Sequence, residues 1–557
     1  MQRLRRQQRV LYAALFFSMM IGLLLIRLGH IQLFRSSRLA AEAVRQRAQA
    51  VILNYNRGDV LDRSGISLLG GKEEKVLVVF PALMAKGDAE AVEIVSHFIP
   101  QAAMPGTPFI ALRGVEPHEE ELFKNLVIPG LVVTEARRRY GADALATHVT
   151  GHTGASDGEG KVGLELVFNR ELKGASPTML AAVIDGKKNL IGGLGYRLWE
   201  SREQHQPYDL VLTIDYNIQQ KVEEIMDSRV ARGAVVVMDP HNGDILAMAS
   251  RPNYLQARLP LYLSGGEEYK DYLSAQPFIN RSILSYPPGS VFKIVVAAAA
   301  LDTGKAWLSQ KYYCPGFIQV GDKTFSCQHG PHGEVTLAQA FAHSCNSVFI
   351  ELALSLGKET IYRYATAMGL GMETGLPLGS AAQGGEVKGM VPLPEEILFL
   401  GDLALAAIGQ GRVEATPLQV ARLTAVAANG GYLVEPRLVK ALQSRQGLQV
   451  KRFPPGTRKK ILSPVTVSKL RYMMLGVVEY GTGQAAFSRV LLLGGKTGTA
   501  QTSRFLNGKP RTYSWFTGCV PLEESRAVIT VFVEEPLQGN AAETFKHLAQ
   551  AIYPFLI

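Results

Sequence analysis

The sequence predicts an α+β protein. It comprises a small mixed α/β module and a larger domain built on one antiparallel sheet packed with helices, both following one N-terminal membrane helix. Three observations predict this. The 557 residues are too many for one ordinary domain. A long apolar run begins within the first ten residues. From about residue 206 strand patterns stand at both ends of a helical middle, as when both termini of a domain complete one sheet.

Taken in order, Arg3, Arg5, Arg6 and Arg9 precede an apolar run over 10–26 that resumes beyond Arg27 to Phe34. At 1.5 Å per residue the run can cross a hydrocarbon layer of ~30 Å. Residues 1–9 therefore read as a cytoplasmic tail and 10–34 as a transmembrane anchor, with the arginines holding the N-terminus inside and the remainder extracellular or periplasmic. A cleaved signal peptide would show a small-residue cleavage site after a shorter apolar stretch. Here Arg27-Leu28-Gly29-His30 follows, which favours an uncleaved anchor. Residues 35–55, with Arg35, Arg38, Arg45 and Arg47 among alanines, read as a helical linker.

Over 56–205, short alternating runs such as Lys75-Val76-Leu77-Val78-Val79-Phe80 describe a pedestal without a catalytic constellation, and Asp62-Arg63-Ser64-Gly65 reads as a turn between strands. Over 206–557, Ala234-Val235-Val236-Val237-Met238 and Ile245-Leu246-Ala247-Met248 flank Asp239-Pro240-His241-Asn242-Gly243-Asp244, a hairpin signal. The segment 290–430 reads as mainly helical. Strands are expected over 494–500, 514–520 and 526–533, and a last helix over 541–553.

A hydrophobic fraction of 47% supplies ample core, and the formal charge of +10 suits a neighbour of anionic surfaces such as lipid headgroups. The basic surplus is spread along the chain and accompanies no nucleic-acid motif, so nucleic acid is not an expected partner. No solenoid-type repeat is evident.

The chemistry lies in three motifs in one order: Ser290-Val291-Phe292-Lys293, Ser344-Cys345-Asn346 and Lys496-Thr497-Gly498-Thr499. In ~500 residues of average composition a Ser-x-x-Lys or a Ser-x-Asn arises about once by chance, so the ordered set carries the signal. The breaker Tyr286-Pro287-Pro288-Gly289 and the apolar run after Ser290 place the serine at a helix start, and positions three apart share a helical face. Ser290 is then the candidate nucleophile, and a neutral Lys293 the base that takes its proton. Lys496, expected after a buried strand Leu491-Leu492-Leu493-Gly494-Gly495, would be a second cation that helps hold Lys293 neutral. Ser344 can relay a proton to the leaving amine, and the Asn346 amide can fix a peptide carbonyl. For that motif alone a helix cap is the plainer reading. Thr497 and Thr499 offer hydroxyls to a substrate carboxylate, and Gly498 lets a substrate backbone approach. The amide N–H groups of Ser290 and Thr499 are the expected oxyanion hole. No cofactor is expected, and no metal in this acyl-transfer site.

With these residues the chain resembles a class B penicillin-binding protein, a membrane-anchored D,D-transpeptidase of bacterial cell-wall synthesis. Arg57-Gly58-Asp59-Val60-Leu61-Asp62-Arg63-Ser64-Gly65 and Gly160-Lys161-Val162-Gly163-Leu164-Glu165 resemble the family's N-terminal signatures. Leu212-Thr213-Ile214-Asp215 resembles the entry to the family's transpeptidase domain, and Ala407-Ile408-Gly409-Gln410-Gly411, Thr416-Pro417-Leu418-Gln419 and Ser514-Trp515-Phe516 resemble further family segments. One departure is Arg139-Tyr140-Gly141, where family members commonly carry a proline after the tyrosine. The resemblance implies a serine β-lactamase/transpeptidase-like domain over 206–557. It implies cross-linking of peptidoglycan stem peptides with loss of terminal D-Ala, and covalent capture of β-lactams on the same serine. A polytopic membrane glycosyltransferase is the partner it implies. A D,D-carboxypeptidase, a β-lactamase, and a silent scaffold or β-lactam sensor are the alternatives.

The four cysteines are Cys314, Cys327, Cys345 and Cys519. Cys314 and Cys327 flank a turn, and a disulfide between them is the first expectation for a chain outside the membrane. The rival is zinc held by Cys314, Cys327, His329 and His332, on a spacing that matches no standard pattern.

Overall fold

The computed structural model describes residues 2–556 apart from 81–82, 84–110, 116–118, 122, 124–127, 129, 155–156, 175–176, 188, 200–205, 264–265, 380–383 and 507–508. They form two compact units interleaved in sequence. One takes Met1–Asn56, Glu73–Arg138 and Ala175–Gln204, the other Arg57–Lys72, Arg139–Gly174 and His205–Ile557. Residues 57–72 and 139–174, read from sequence as pedestal, thus cluster with the catalytic unit.

In the first unit, a helix over Gln2–His30 passes through a π turn, Ile31–Arg35, into a second helix, Ser36–Gln46. This is the one helical stretch among the described residues long and apolar enough to cross a membrane. Leu15, Phe16, Leu24, Leu25 and Ile26 are exposed along it. The linker expected to be helical through residue 55 instead leaves the helix at Gln46. Ala48–Asn54 pairs antiparallel with Thr178–Val183, because Val51-Ile52-Leu53 is a β-branched, apolar run that buries Leu53 against Val76, Val78 and Leu180. Tyr196–Trp199 completes that sheet, and a second one has the order Ala111–Gly114, Glu73–Val79, Leu131–Arg137.

The larger unit is built on one antiparallel sheet. Its strands are β1 (Val230–Met238), β2 (Ile245–Arg251), β7 (Gly494–Leu506), β8 (Lys509–Val520) and β9 (Ala527–Pro536), in the order β2-β1-β9-β8-β7. The early and late parts of the 206–557 segment therefore meet at β1 and β9, and β7 is an edge strand. Alternation divides the core. Val235 and Val237 join a cluster with Ile218, Val222, Phe545 and Leu548, whereas Ala234, Val236 and Met238 join the other. Helices α1 (Tyr216–Arg229) and α9 (Ala541–Ile552) cover the first face.

The opposite face receives α7 (Pro417–Ala428), buried at every position and started by Thr416, whose hydroxyl accepts from Gln419 N while Gln419 Oε1 accepts from Thr416 N. Around it run α2 (Lys293–Asp302), α3 (Leu337–Ala342), α4 (Asn346–Leu356), α5 (Lys358–Ala367), α6 (Leu400–Ala407) and α8 (Pro464–Glu479). The helical middle is interrupted by four strands the sequence reading missed: β3 (Lys311–Cys314), β4 (Phe317–Val320), β5 (Lys323–Ser326) and β6 (Gly333–Thr336). Four residues are too few for a period of two to declare itself. They pair as β3 with β6 and β4 with β5.

Candidate active site

Ser290 stands half-buried in a 3-10 turn, Gly289–Phe292, that runs directly into α2. The turn is held closely. Gly289 N donates to Gly409 O at 3.0 Å, and Trp515 Nε1 donates to Pro287 O at 3.1 Å. Glycine is required on both sides: a Cβ on Gly409 (φ +65°) would fall 2.1 Å from Gly289 O, and one on Gly498 would fall 2.7 Å from Pro288 O. These glycines let edge strand β7 and the α6–α7 connection close on the serine turn.

Lys293 and Lys496 are both fully buried. Lys293 Nζ donates to Ser344 O at 2.6 Å and to Asn346 Oδ1 at 2.7 Å, and lies 3.3 Å from Ser344 Oγ. Lys496 Nζ donates to the same Ser344 Oγ at 3.1 Å and to Thr497 O at 3.1 Å. One hydroxyl therefore bridges the two amines. Ser344 adopts φ +56°, a left-handed conformation that is costly for a residue with a Cβ and is held here by the packed turn between α3 and α4. Asn346 is engaged at both ends, since its Nδ2 donates to Ser326 O at 2.8 Å. Ser290 Oγ makes no hydrogen bond among the described residues; the Lys293 amine, expected beside it, is turned toward Ser344 and Asn346.

Burial pushes Lys293 down to about 7, so its neutral form is accessible near neutral pH. Burial and a second cation, Lys496, were expected to act together; burial is the leading cause at both lysines, and Lys496 is itself held well below its usual value by burial and then by the charge of Lys293. Two amines facing one hydroxyl in a dry site resist carrying two charges. The Phe349 ring lies 5.7 Å from Lys293 Nζ and the Phe341 ring 5.5 Å from Lys496 Nζ, giving whichever amine is protonated an aromatic face.

On β7, Thr497 is half-buried with its hydroxyl 2.6 Å from that of Thr482, and Thr499 is exposed. The strand begins at Gly494; Leu491 to Leu493, read from sequence as part of it, lie outside, with Leu492 exposed. Sequence reasoning missed Thr482, the Ser326 carbonyl and the two phenylalanines. Thr482 stands between Gly481 and Gly483, the one local hint of a close approach.

The cysteine expectations need correction. Cys314, Cys327, Cys345 and Cys519 are all free and buried. Cys314 Sγ and Cys327 Sγ are 3.6 Å apart, and Cys345 takes the place expected for His329, because the fold brings the start of α4 against the ends of β3 and β5.

An antiparallel sheet with a buried lysine edge strand, facing a serine–lysine turn at a helix start, defines the class as serine acyl-transfer enzymes. The chain belongs to the penicillin-binding protein transpeptidase family: the model of the penicillin-binding protein transpeptidase domain matches residues 233–553. It is 30% identical to stage V sporulation protein D of Bacillus subtilis, with 95% of this chain and 82% of the relative covered. It is 26% identical to the peptidoglycan D,D-transpeptidase MrdA of Acinetobacter baumannii, over 99% and 88% of the two chains. A solved D,D-transpeptidase domain of a peptidoglycan glycosyltransferase from Eggerthella lenta is similar at a TM-score of 0.65, with 26% identity over 90% of this chain and 98% of that one.

Proposed function

We propose that this chain is a membrane-anchored peptidoglycan D,D-transpeptidase that works through an acyl-enzyme on Ser290. Ser290 Oγ attacks the carbonyl carbon of the penultimate D-Ala of a donor stem peptide while neutral Lys293 takes the hydroxyl proton. The oxyanion lies toward the N–H groups of Ser290 and Thr499. The C–N bond breaks, terminal D-Ala leaves with a proton passed through Ser344, and an amine of a second stem attacks the ester to regenerate the serine. A β-lactam ring opens on the same oxygen and stays there.

The observation that carries this reading is the Ser344 hydroxyl placed between Lys293 at 3.3 Å and Lys496 at 3.1 Å, a path for one proton between a buried base and the leaving-group side. Edge strand β7 supports it, since Thr497, Gly498 and Thr499 present backbone to an extended peptide, with Thr499 open to a terminal carboxylate. The arginine-flanked N-terminal helix supports an anchor with Arg5, Arg6 and Arg9 in the cytoplasm and the catalytic unit outside. In that setting a polytopic membrane glycosyltransferase supplies the glycan strands.

The test is intact mass after incubation with a fluorescent penicillin, wild type beside Ser290→Ala. One lasting adduct, absent from the variant, is the expected result. Rapid penicillin turnover without an adduct would assign a hydrolase instead.

A further inference from the structure

Four buried or half-buried ligand groups meet beside the Ser344-Cys345-Asn346 turn. Cys314 ends β3, Cys327 follows β5, His332 lies in the loop before β6, and Cys345 stands at the start of α4. Their ligand atoms all lie within 4.8 Å of one another. We propose that these residues form a Cys3His zinc site that holds the active-site turn in shape.

The distances fit a tetrahedral ion. Zn–S of about 2.3 Å and Zn–N of about 2.0–2.1 Å set S···S near ~3.8 Å and S···N near ~3.6 Å. Cys314 Sγ to Cys327 Sγ is 3.6 Å, Cys327 Sγ to Cys345 Sγ is 3.8 Å, and Cys314 Sγ to His332 Nδ1 is 3.4 Å. Polar hydrogens surround two of the sulfurs. Gly316 N lies 3.4 Å from Cys314 Sγ, and the buried Ser347 hydroxyl lies 3.6 Å from Cys314 Sγ and 3.4 Å from Cys327 Sγ. Ser347 has no other side-chain hydrogen bond among the described residues. The Cys314 sulfur is likewise the one polar contact of the His332 ring, whose Nε2 is buried without a partner. Three soft thiolates and an imidazole in closed tetrahedral reach select zinc over a hard cation. All four coordination positions are filled by protein, which makes the site structural and not hydrolytic.

Its position gives it a task. Cys345 is covalently between Ser344, in its left-handed conformation, and Asn346. Asn346 Nδ2 in turn holds Ser326 O, the residue before Cys327. An ion on Cys327 and Cys345 therefore clamps both ends of the connection that orients Lys293. That consequence rests on the transpeptidase reading; the ion itself does not.

The experiment uses the full chain, solubilised in detergent under reductant and dialysed. Metal analysis is expected to give one zinc per chain, reduced at least ~10-fold in Cys327→Ser and in His332→Ala. Because a variant can lose zinc by failing to fold, the wild type is also stripped with chelator and titrated with Co(II). A thiolate-to-cobalt charge-transfer band saturating at one equivalent is expected. Removal of zinc should slow penicillin acylation about 10-fold or more, as loss of supporting contacts does around other sites, with re-addition restoring it. Absence of zinc at stoichiometry, no cobalt band after chelation, or full zinc content in both variants would overturn the site. Normal metal content together with no penicillin adduct would leave the site standing and overturn the transpeptidase reading.

Discussion

At the residue scale, the telling choice is a buried amine in place of a histidine or carboxylate as base. Burial is what moves Lys293 down to about 7, so the fraction able to accept the Ser290 proton rises as pH climbs through that value. The second-order rate of penicillin acylation is expected to increase about tenfold per unit below pH 7 and to level off above pH 8. A profile flat from pH 5 to 8 would remove Lys293 from that role. Motif order singled out Ser290, Lys293, Ser344, Asn346 and Lys496 as candidates, each locally framed by glycine, proline or a helix start, and the fold brings the last four into hydrogen-bond reach of one another. The actual wiring was not legible. Which oxygen Lys293 faces depends on a left-handed Ser344 and on the Ser326 carbonyl, twenty positions before Asn346, and neither leaves a mark in composition or periodicity.

At the element scale, the N-terminal signatures prove to be one polar cluster. Arg57 Nε donates to Glu165 Oε2 at 2.6 Å, Arg139 Nε donates to Oε1 at 2.6 Å, and the Tyr140 hydroxyl donates to Oε1 at 3.1 Å. Burial alone would raise the Glu165 carboxyl, but Arg139 and Arg57 outweigh it and hold the group below the usual carboxylate range. Glu165→Gln leaves two mostly buried guanidinium groups without their counter-charge, at a cost of about 3–5 kcal/mol. A clear drop in thermal midpoint is expected, with no direct effect on the acyl-transfer groups. Gly141 in the same region has a steric reason: a Cβ there would fall 2.0 Å from Gly70 O, so the corner is closed by a glycine. A similar close approach makes Gly409→Ala informative. The positive φ and the 2.1 Å approach to Gly289 O together cost about 1–3 kcal/mol. Since relief requires the Ser290 turn to shift, acylation is expected to slow more than stability falls, measured by adduct formation beside thermal unfolding.

Sheet strands and long helices were readable because their periods extend over enough residues, as in β1, β2, β8 and α9. The four short strands between α2 and α3 were not, and with them went the reason three cysteines and a histidine converge. Their meeting is set by β3–β6 and β4–β5 pairing, a tertiary fact that spacing alone does not encode.

For the whole molecule, the linear division into tail, anchor, linker, pedestal and catalytic domain is simpler than the interleaving found, in which residues 57–72 and 139–174 cluster with the catalytic unit. Truncations planned at residue 205 would cut those segments away. Removing residues 1–46 instead spares every described strand, including Ala48–Asn54. The shortened protein is expected to appear in the soluble fraction after cell lysis, while the full chain sediments with membranes. It should acylate with penicillin at an unchanged rate; loss of acylation would show that the helix contributes more than attachment.

The pairing of β1 with β9 also sets a clock. β1 can pair with β2 as soon as both are made, but Val235 must wait for Val531, so the other edge of this early strand stays open until the chain is almost finished. At 5–20 residues per second the wait is about 15–60 s. For most of that time the edge strand bearing Lys496 does not exist, so the two buried amines have not yet met across Ser344. The Ser290–Lys293 turn is thus made well before the strand that closes on it, and the site assembles only when synthesis is nearly complete.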